Sequence, residues 1–421
     1  MQLNRKITGN IIALGVLQLG NYVFPFLTVP YLSHLLSVEH YGIILLATSF
    51  SAYFGVICDY GFLLSATREV ALNSHNPEKL KRIVSNVMTI KLGLFICSFL
   101  ACLLIVLLLP SLRSHWLIYL TSFFSIVTNV FFPVWFFQGI EKMRYIAVVN
   151  LVIRTLAVMM ILLLIKSDAG YYWVPIFNSL AAIIGAIFAQ WLMLTQFKIS
   201  YVRPLWREMK QQLSSGWHIF VSTVAVSVYL ISNSFFLGLF LGAGIVAFYA
   251  LADKLIAVVN SLLNPLFQAL FPHVAKIVHA DKVAGIVLLR ATLLKVAFLG
   301  GVLSLLLFSL APWIVPRLFG VNYLPTIPIL KIMAILPFII GLSNVVAVQT
   351  MIPFGLEHIF SKIYIIAAVF HVLVFGVMTY THGLIGAATS IVLTESLVVV
   401  MMIYSLYHNG IYLFHAKLRL G

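Results

Sequence analysis

Twelve times along this chain a run of about twenty residues passes with almost no charge, and that repetition constrains the fold more than any motif does. A helix needs about 20 largely apolar residues to cross the hydrocarbon core of a bilayer. Runs of that length fall at 10–32, 41–63, 84–109, 116–137, 146–166, 172–194, 216–240, 246–267, 288–310, 328–350, 363–380 and 385–406. Lipid offers no partner for backbone N–H and C=O groups, so a spanning segment is either a helix or a strand of a closed barrel. None of these runs alternates as barrel strands do. The predicted fold class is therefore all-α, an integral membrane protein of about 12 transmembrane helices. Composition agrees, because 62% of the residues are apolar and only 9% charged, where about 25% charged is ordinary for a soluble domain. Soluble enzymes, nucleic-acid-binding domains and disulfide-stapled modules are excluded.

The formal net charge of +15 would suggest a nucleic-acid partner in a soluble chain. Here the distribution of the cations explains it. Eighteen Lys and Arg residues fall in loops on the side holding both termini, including Arg68, Lys79, Arg82, Lys142, Arg203, Arg207 and Lys276. Four (Arg113, Lys166, Arg317 and Lys331) fall on the other side. That bias predicts cytoplasmic termini. Cys58, Cys97 and Cys102 lie in apolar runs, which argues against a disulfide framework or a metal site. The first apolar run lacks a small-residue cleavage pattern and reads as a retained helix. Neither the outer connection from Ala311 to Ile327 nor the inner loop from Gln196 to Ser215 is long enough for a further domain. The inner loop, with Tyr201, Arg203, Trp206 and Arg207, reads as an interfacial segment on anionic head groups.

Twelve spans invite a division into six and six, placed at 1–200 and 201–421. Leu36-Ser-Val-Glu-His-Tyr-Gly42 joins spans 1 and 2, and Leu241-Gly-Ala-Gly-Ile-Val-Ala247 joins spans 7 and 8. Lys91 corresponds to Lys295, and Gly139-Ile-Glu141 to Gly355-Leu-Glu357. Two six-helix lobes around a central cavity are expected.

Ionisable groups inside a span are costly and usually face a bundle interior or water. Asp59, Lys91, Arg154, Asp253, Lys254, Lys295 and Glu395 are the ones that stand out. Asp59 lies near the cytoplasmic end of its span and reads first as interfacial, whereas Lys91 and Lys295, close enough to a face to snorkel, read equally as snorkelling or functional. Arg154 sits near mid-span with Asn150 on the same helix face, and its planar guanidinium suits phosphate. Arg154, Lys254, Lys91 and Lys295 are the candidate cations for a pyrophosphate. Gln18, Asn21, Asn150, Ser222, Tyr229 and Asn233 are the candidate polar lining, although small polar groups also cement helix packing. Glu395, Asp253 and His371 are the candidates for ion coupling, since a desolvated carboxylate or imidazole can exchange a proton near neutral pH. No cofactor is expected. With no phosphate-binding Gly-x-x-x-x-Gly-Lys-[Ser/Thr] motif, a proton or sodium gradient, the substrate gradient or a partner must supply the drive. More cations than deep carboxylates favour an anionic substrate.

Several segments resemble the O-antigen flippases, the Wzx-type branch of the multidrug/oligosaccharidyl-lipid/polysaccharide exporter superfamily. They are Pro30-Tyr31-Leu32 with Leu36–Gly42, Tyr60-Gly61-Phe62 with Ala66-Thr67-Arg68-Glu69, and Trp135-Phe136-Phe137-Gln138-Gly139-Ile140-Glu141-Lys142-Met143. Asn264-Pro265 with Phe271-Pro272, and Leu342-Ser343-Asn344, fit as well. The resemblance runs from about residue 8 to 406. It implies alternating access between two lobes and movement of undecaprenyl-pyrophosphate-linked oligosaccharide across the bacterial inner membrane before polymerisation. Contact with the polymerase and chain-length regulator of that route stays open. A drug exporter of the same superfamily is the nearest alternative, and it should select organic cations with an acidic cavity. Murein-precursor flippases are usually fourteen-span chains. A membrane glycosyl transferase would need clustered acid/base groups outside the bilayer, whereas Glu39 and Asp168 occupy separate outer turns, with His34, His40, His115 and His382 scattered among them.

Overall fold

The computed structural model describes residue 20 and residues 23–413, without the side chains at 218, 222, 225, 226, 228–232, 269 and 272. Gln18 and Asn21, and the side chains of Ser222 and Tyr229, lie outside the described residues. Among the described residues there is no strand.

The first helices are α1 Val23–Leu35, α2 Val38–Asp59, α3 Phe62–Leu72 and α4 Pro77–Leu108. A short turn of helix, α5 Pro110–Arg113, leads into a span broken into α6 Trp116–Phe124, α7 Val127–Phe131 and α8 Val134–Gly139. Next come α9 Met143–Leu164, α10 Trp173–Thr195 and α11 Trp206–Leu241. The rest is α12 Ala243–Ser261, α13 Asn264–Ala280, α14 Lys282–Phe319, α15 Thr326–Met333, α16 Leu336–Asn344, a π-helical turn Val345–Met351, and α17 Glu357–His408. Nine stretches among the described residues are long and apolar enough to cross a membrane. The last of them is two spans, because Gly383 interrupts α17 with φ 56° and ψ −133°, a conformation open in practice only to glycine. With α1 and α11 the count reaches about twelve, and the protein is a multi-pass, all-helical membrane protein.

Local chemistry sets the helix starts. The Ser37 hydroxyl accepts from the His40 N–H at the head of α2. Asn76 accepts from the Lys79 N–H, with Pro77 opening α4, and Asp281 accepts from the Val283 and Ala284 N–H groups. Each side chain satisfies donors that a helix start leaves bare. Two loop expectations are corrected. The outer stretch from Ala311 is helical as far as Phe319 despite Pro312 and Pro316, and Arg317 stacks 3.9 Å over the Trp313 ring. The inner loop becomes helix at Trp206.

The chain forms two compact units, Met1–Ser227 and Val228–Gly421. The division falls within α11, whereas the sequence reading places it ahead of that helix. Each unit has its own core. In the first, Phe62, Val70, Trp135, Phe136, Phe137, Val149 and Met193 are buried together. In the second, Leu289, Val296, Val345, Met351, Val398 and Met402 are. Leu294, Phe298 and Leu305 remain 66–75% exposed on α14, as expected of side chains whose solvent is lipid.

The repeat is visible as architecture. A helix, a break and a short helix (α2–α3) recur as α12–α13, the long α4 as α14, and the three-piece span α6–α8 as α15, α16 and the π turn. Helix endings recur too. Glu141 has φ 58° and Gly355 φ 76°, and the next residue's N–H closes back onto Phe137 O or Met351 O, at 2.8 Å in both cases. Lys198 (φ 53°) and Gly410 (φ 75°) sit after the sixth and twelfth spans. A left-handed residue after the last helical turn lets the chain reverse while satisfying its carbonyls.

Candidate functional site

In the first unit the polar interior centres on Lys91 and Asp59. Lys91 points inward from α4, is 1% exposed, and donates from Nζ to Asp59 Oδ1 at 3.2 Å. Of the two readings open for Lys91, the inward one holds here, and Asp59, read as interfacial, keeps 29% of its side chain exposed while pairing with it. They line a cavity of about 300 Å³ with Thr128, Asn129, Trp135 and Asn150. The breaks in the α6–α8 span turn Thr128 and Asn129 towards it. Asn150 anchors its amide on Ile146 O at 2.9 Å. Arg154 lies one turn further along α9, half-buried, and among the described residues no hydrogen bond or ion pair holds its guanidinium. Sequence reasoning missed Asn129, whose only signal is its place beside Thr128 at a helix break.

In the second unit a chain of buried polar groups links three helices. His371 on α17 meets Thr394 Oγ1 at 2.9 Å through Nδ1, and Asn233 Oδ1 at 2.7 Å through Nε2. Asn233 Nδ2 donates to the Tyr249 hydroxyl at 3.0 Å. Thr394 is fully buried, and His371, Tyr249 and Asn233 are at most 4% exposed. Asp253 follows one turn after Tyr249 and is exposed, with Lys254 beside it in the chain. At the other end Glu395, 7% exposed, acts electrostatically on Tyr364, which is hydrogen-bonded to Ser343. Thr394, His371, Asn233 and Tyr249 are thus joined by hydrogen bonds, whereas Asp253, on the same helix as Tyr249, is exposed and Glu395 follows Thr394 along α17. Tyr249 was legible only as the residue four before Asp253.

The remaining candidate cations differ from one another. Lys254 is half-buried, while Lys295 is exposed on α14 beside Leu294 and Phe298. Lys295 therefore does not share the environment of its repeat counterpart Lys91. On the opposite side of the first unit, the Asp168 carboxylate accepts from the Ser37 N–H at 2.8 Å and bonds His40 Nδ1 at 2.8 Å. The His40 ring stacks on Tyr171 at 3.8 Å. The outer acid and base groups are therefore not all scattered: these two clamp the start of α2 to the turn before α10. Among the described residues no group of three His, Cys, Asp or Glu is arranged to hold a metal ion.

About twelve spans in two like-built units describe a multi-pass helical membrane protein, and comparison places the chain more closely. The polysaccharide biosynthesis protein family matches residues 7–278. The chain belongs to that family. Two relatives named "Putative O-antigen transporter" are similar along nearly their whole length. That of Escherichia coli strain K12 is 29% identical over 95% of this chain and 96% of its own. That of Shigella dysenteriae is 28% identical over 94% and 98%. The fold is also that of solved transporters. An inward-facing multidrug resistance MATE family transporter of the MOP superfamily superposes with a TM-score of 0.74 at 13% identity, covering 95% of this chain and 98% of that one. Lipid II flippase MurJ in an inward closed conformation gives 0.67 at 15% identity, covering 94% and 87%.

Proposed function

We propose that this protein is a flippase that carries undecaprenyl-pyrophosphate-linked O-antigen oligosaccharide from the cytoplasmic to the periplasmic leaflet of the bacterial inner membrane, driven by an ion gradient. The observation that carries this reading is the likeness to O-antigen transporters over about 95% of the chain. The excess of Lys and Arg on one side supports cytoplasmic termini. In this reading Arg154 binds the pyrophosphate, since its fork of donors matches phosphate oxygens, and Asn150 and the neighbouring polar groups meet the sugar. The lipid tail stays in the bilayer. The chain from Glu395 through Thr394, His371, Asn233 and Tyr249 to Asp253 is the proposed coupling route, and alternating access is the proposed motion. The polymerase and chain-length regulator of the same route are the proposed neighbours.

Drug export is the second reading, favoured by the MATE-like fold alone. A cavity selecting organic cations needs a surplus of carboxylate, whereas in the first unit the Asp59 carboxylate is paired with Lys91 and Arg154 adds a further cation. Complementation of a flippase-deficient strain tests the proposal at matched membrane expression. Arg154→Ala should abolish surface polysaccharide and Arg154→Lys should restore it in part. Full activity in both would remove Arg154 from the mechanism.

A further inference from the structure

The first unit has a second cavity, apart from the one around Lys91. It encloses about 790 Å³ where α3, the start of α4 and the start of α11 meet, within the about 300–1,000 Å³ typical of ligand sites. Its ionic groups are Arg68, Glu69, Lys79, Arg82 and Glu208. The two carboxylates are already engaged by the protein. Glu208 accepts from Asn86 Nδ2 at 2.7 Å and faces Arg82 at 3.7 Å, and Glu69 accepts from Gln212 Nε2 at 3.0 Å. The head groups of Arg68 and Lys79 have no hydrogen bond or ion pair among the described residues, and both are exposed. Lys79 acts electrostatically on Glu69 from a distance beyond an ion pair, Arg68 has no such partner among the described residues, and three cations against two engaged carboxylates leave the charge on offer to a ligand positive. The rim has a different character, because Leu64 and Leu72 are 62% and 74% exposed.

We infer that this cavity is a second binding site, separate from Arg154, for the phosphate head group of an anionic lipid, with Arg68 and Lys79 as its cations. Guanidinium and ammonium groups bind phosphate oxygens through charge-assisted hydrogen bonds. The exposed leucines meet the first carbons of a tail that continues into the bilayer, and the volume leaves room for a sugar or glycerol beyond the phosphate. Two lipids share that chemistry: a polyprenyl-diphosphate glycan waiting to be carried, and a resident glycerophospholipid. The inference deepens the flippase reading and rests on it only for the identity of the waiting lipid.

The test uses the full-length protein in phosphatidylcholine nanodiscs. The probe is a short-chain polyprenyl diphosphate bearing one N-acetylhexosamine with a photoreactive group, and labelled peptides are mapped after irradiation. Labelling of peptides covering 64–83 and 208–219 is expected in the wild type. It should fall about tenfold or more in Arg68→Ala/Lys79→Ala, the size of effect that losing charged contacts produces. Arg68→Lys/Lys79→Arg should retain most of it, which separates loss of charge from misfolding, and raised salt should weaken it. Added phosphatidylglycerol that displaces the probe assigns the site to phospholipid, and failure to displace it assigns the site to the glycan lipid. Either result supports a lipid-phosphate site. Absence of labelling at these peptides, or equal labelling in the alanine variant, overturns it. Wild-type translocation is measured in parallel: a protein that labels here but moves no glycan lipid keeps the site and loses the flippase reading, and the converse result keeps the reading and loses the site.

Discussion

The hydrogen bonds of His371 to Asn233 and Thr394 are compatible with two proton patterns. Asn233 uses its Nδ2 to donate to Tyr249, so its Oδ1 faces the ring and Nε2 must carry a hydrogen. Nδ1 then either accepts from the Thr394 hydroxyl or, in the imidazolium, donates to it. Thr394 Oγ1 also lies 2.8 Å from Ser390 O, which gives its hydroxyl hydrogen a place to turn when Nδ1 is protonated. At the Thr394 contact, uptake of a proton is accommodated by rotation of the hydroxyl. If the coupling route is correct, His371→Gln, which keeps a polar group but not the second protonation state, should leave slow translocation that no longer responds to an imposed pH gradient. A pH-jump assay in proteoliposomes checks this, and an undiminished response would exclude His371. Lys91 gives a stability prediction at the same scale. Asp59→Asn leaves a shielded ammonium without its counter-charge and should cost up to about 3–5 kcal/mol. Asp59→Asn/Lys91→Met should recover most of the loss, read as the thermal unfolding temperature in detergent.

At the scale of elements, the fit of α8 against α3 depends on Gly139. A Cβ there would come within 2.6 Å of Val70 Cγ1 and 2.9 Å of Thr67 O, and the backbone oxygen cannot step aside as a flexible side chain could. The Thr67 hydroxyl also reaches Trp135 O at 3.2 Å, tying the same two helices together. Gly139→Ala should therefore lower the thermal unfolding temperature and the amount of folded protein, with losses of the about 1–3 kcal/mol expected of overpacking. Unchanged stability would show that α3 and α8 can separate at little cost. The segment before α11 is held by a second set of contacts: the Val202 N–H on Ser85 Oγ at 2.8 Å, and the Leu205 N–H on Asn86 Oδ1 at 3.1 Å. Asn86→Ala removes the partners of both Leu205 and Glu208. It should make the chain near 200–206 more sensitive to limited proteolysis while the helices on either side stay intact. The spans themselves were legible in the sequence because lipid imposes length and apolarity on every one of them. The contacts of Asn86 and Gln212 were not, since they join residues more than a hundred positions apart and no periodicity records that distance. The helical run through Pro312 was missed for a related reason, because proline marks a break only where the neighbouring packing does not hold the helix together.

For the whole molecule, the repeat was legible as order and architecture but not as chemistry. Lys91 and Lys295 occupy corresponding helices, yet one is shielded and paired while the other is exposed beside Leu294 and Phe298. The same residue type at the same offset takes its role from its neighbours, which differ between the units. The candidate site was legible in part. The deep ionisable residues were visible as costly intruders in apolar runs, whereas the place of Asn129 beside Lys91 and Asp59 and the hydrogen bonds of Tyr249 and Thr394 needed the tertiary structure. The central claim is that the chain moves a lipid-linked glycan between leaflets. Its most direct test is leaflet-resolved measurement of that lipid in cells depleted of the protein and then supplied with it, using an impermeant reagent that labels only glycan exposed on the periplasmic side. Depletion is predicted to leave the lipid-linked units unlabelled and accumulating, and resupply should return them to the labelled pool within minutes. An unchanged labelled fraction together with altered resistance to organic cations would contradict the account and favour drug export.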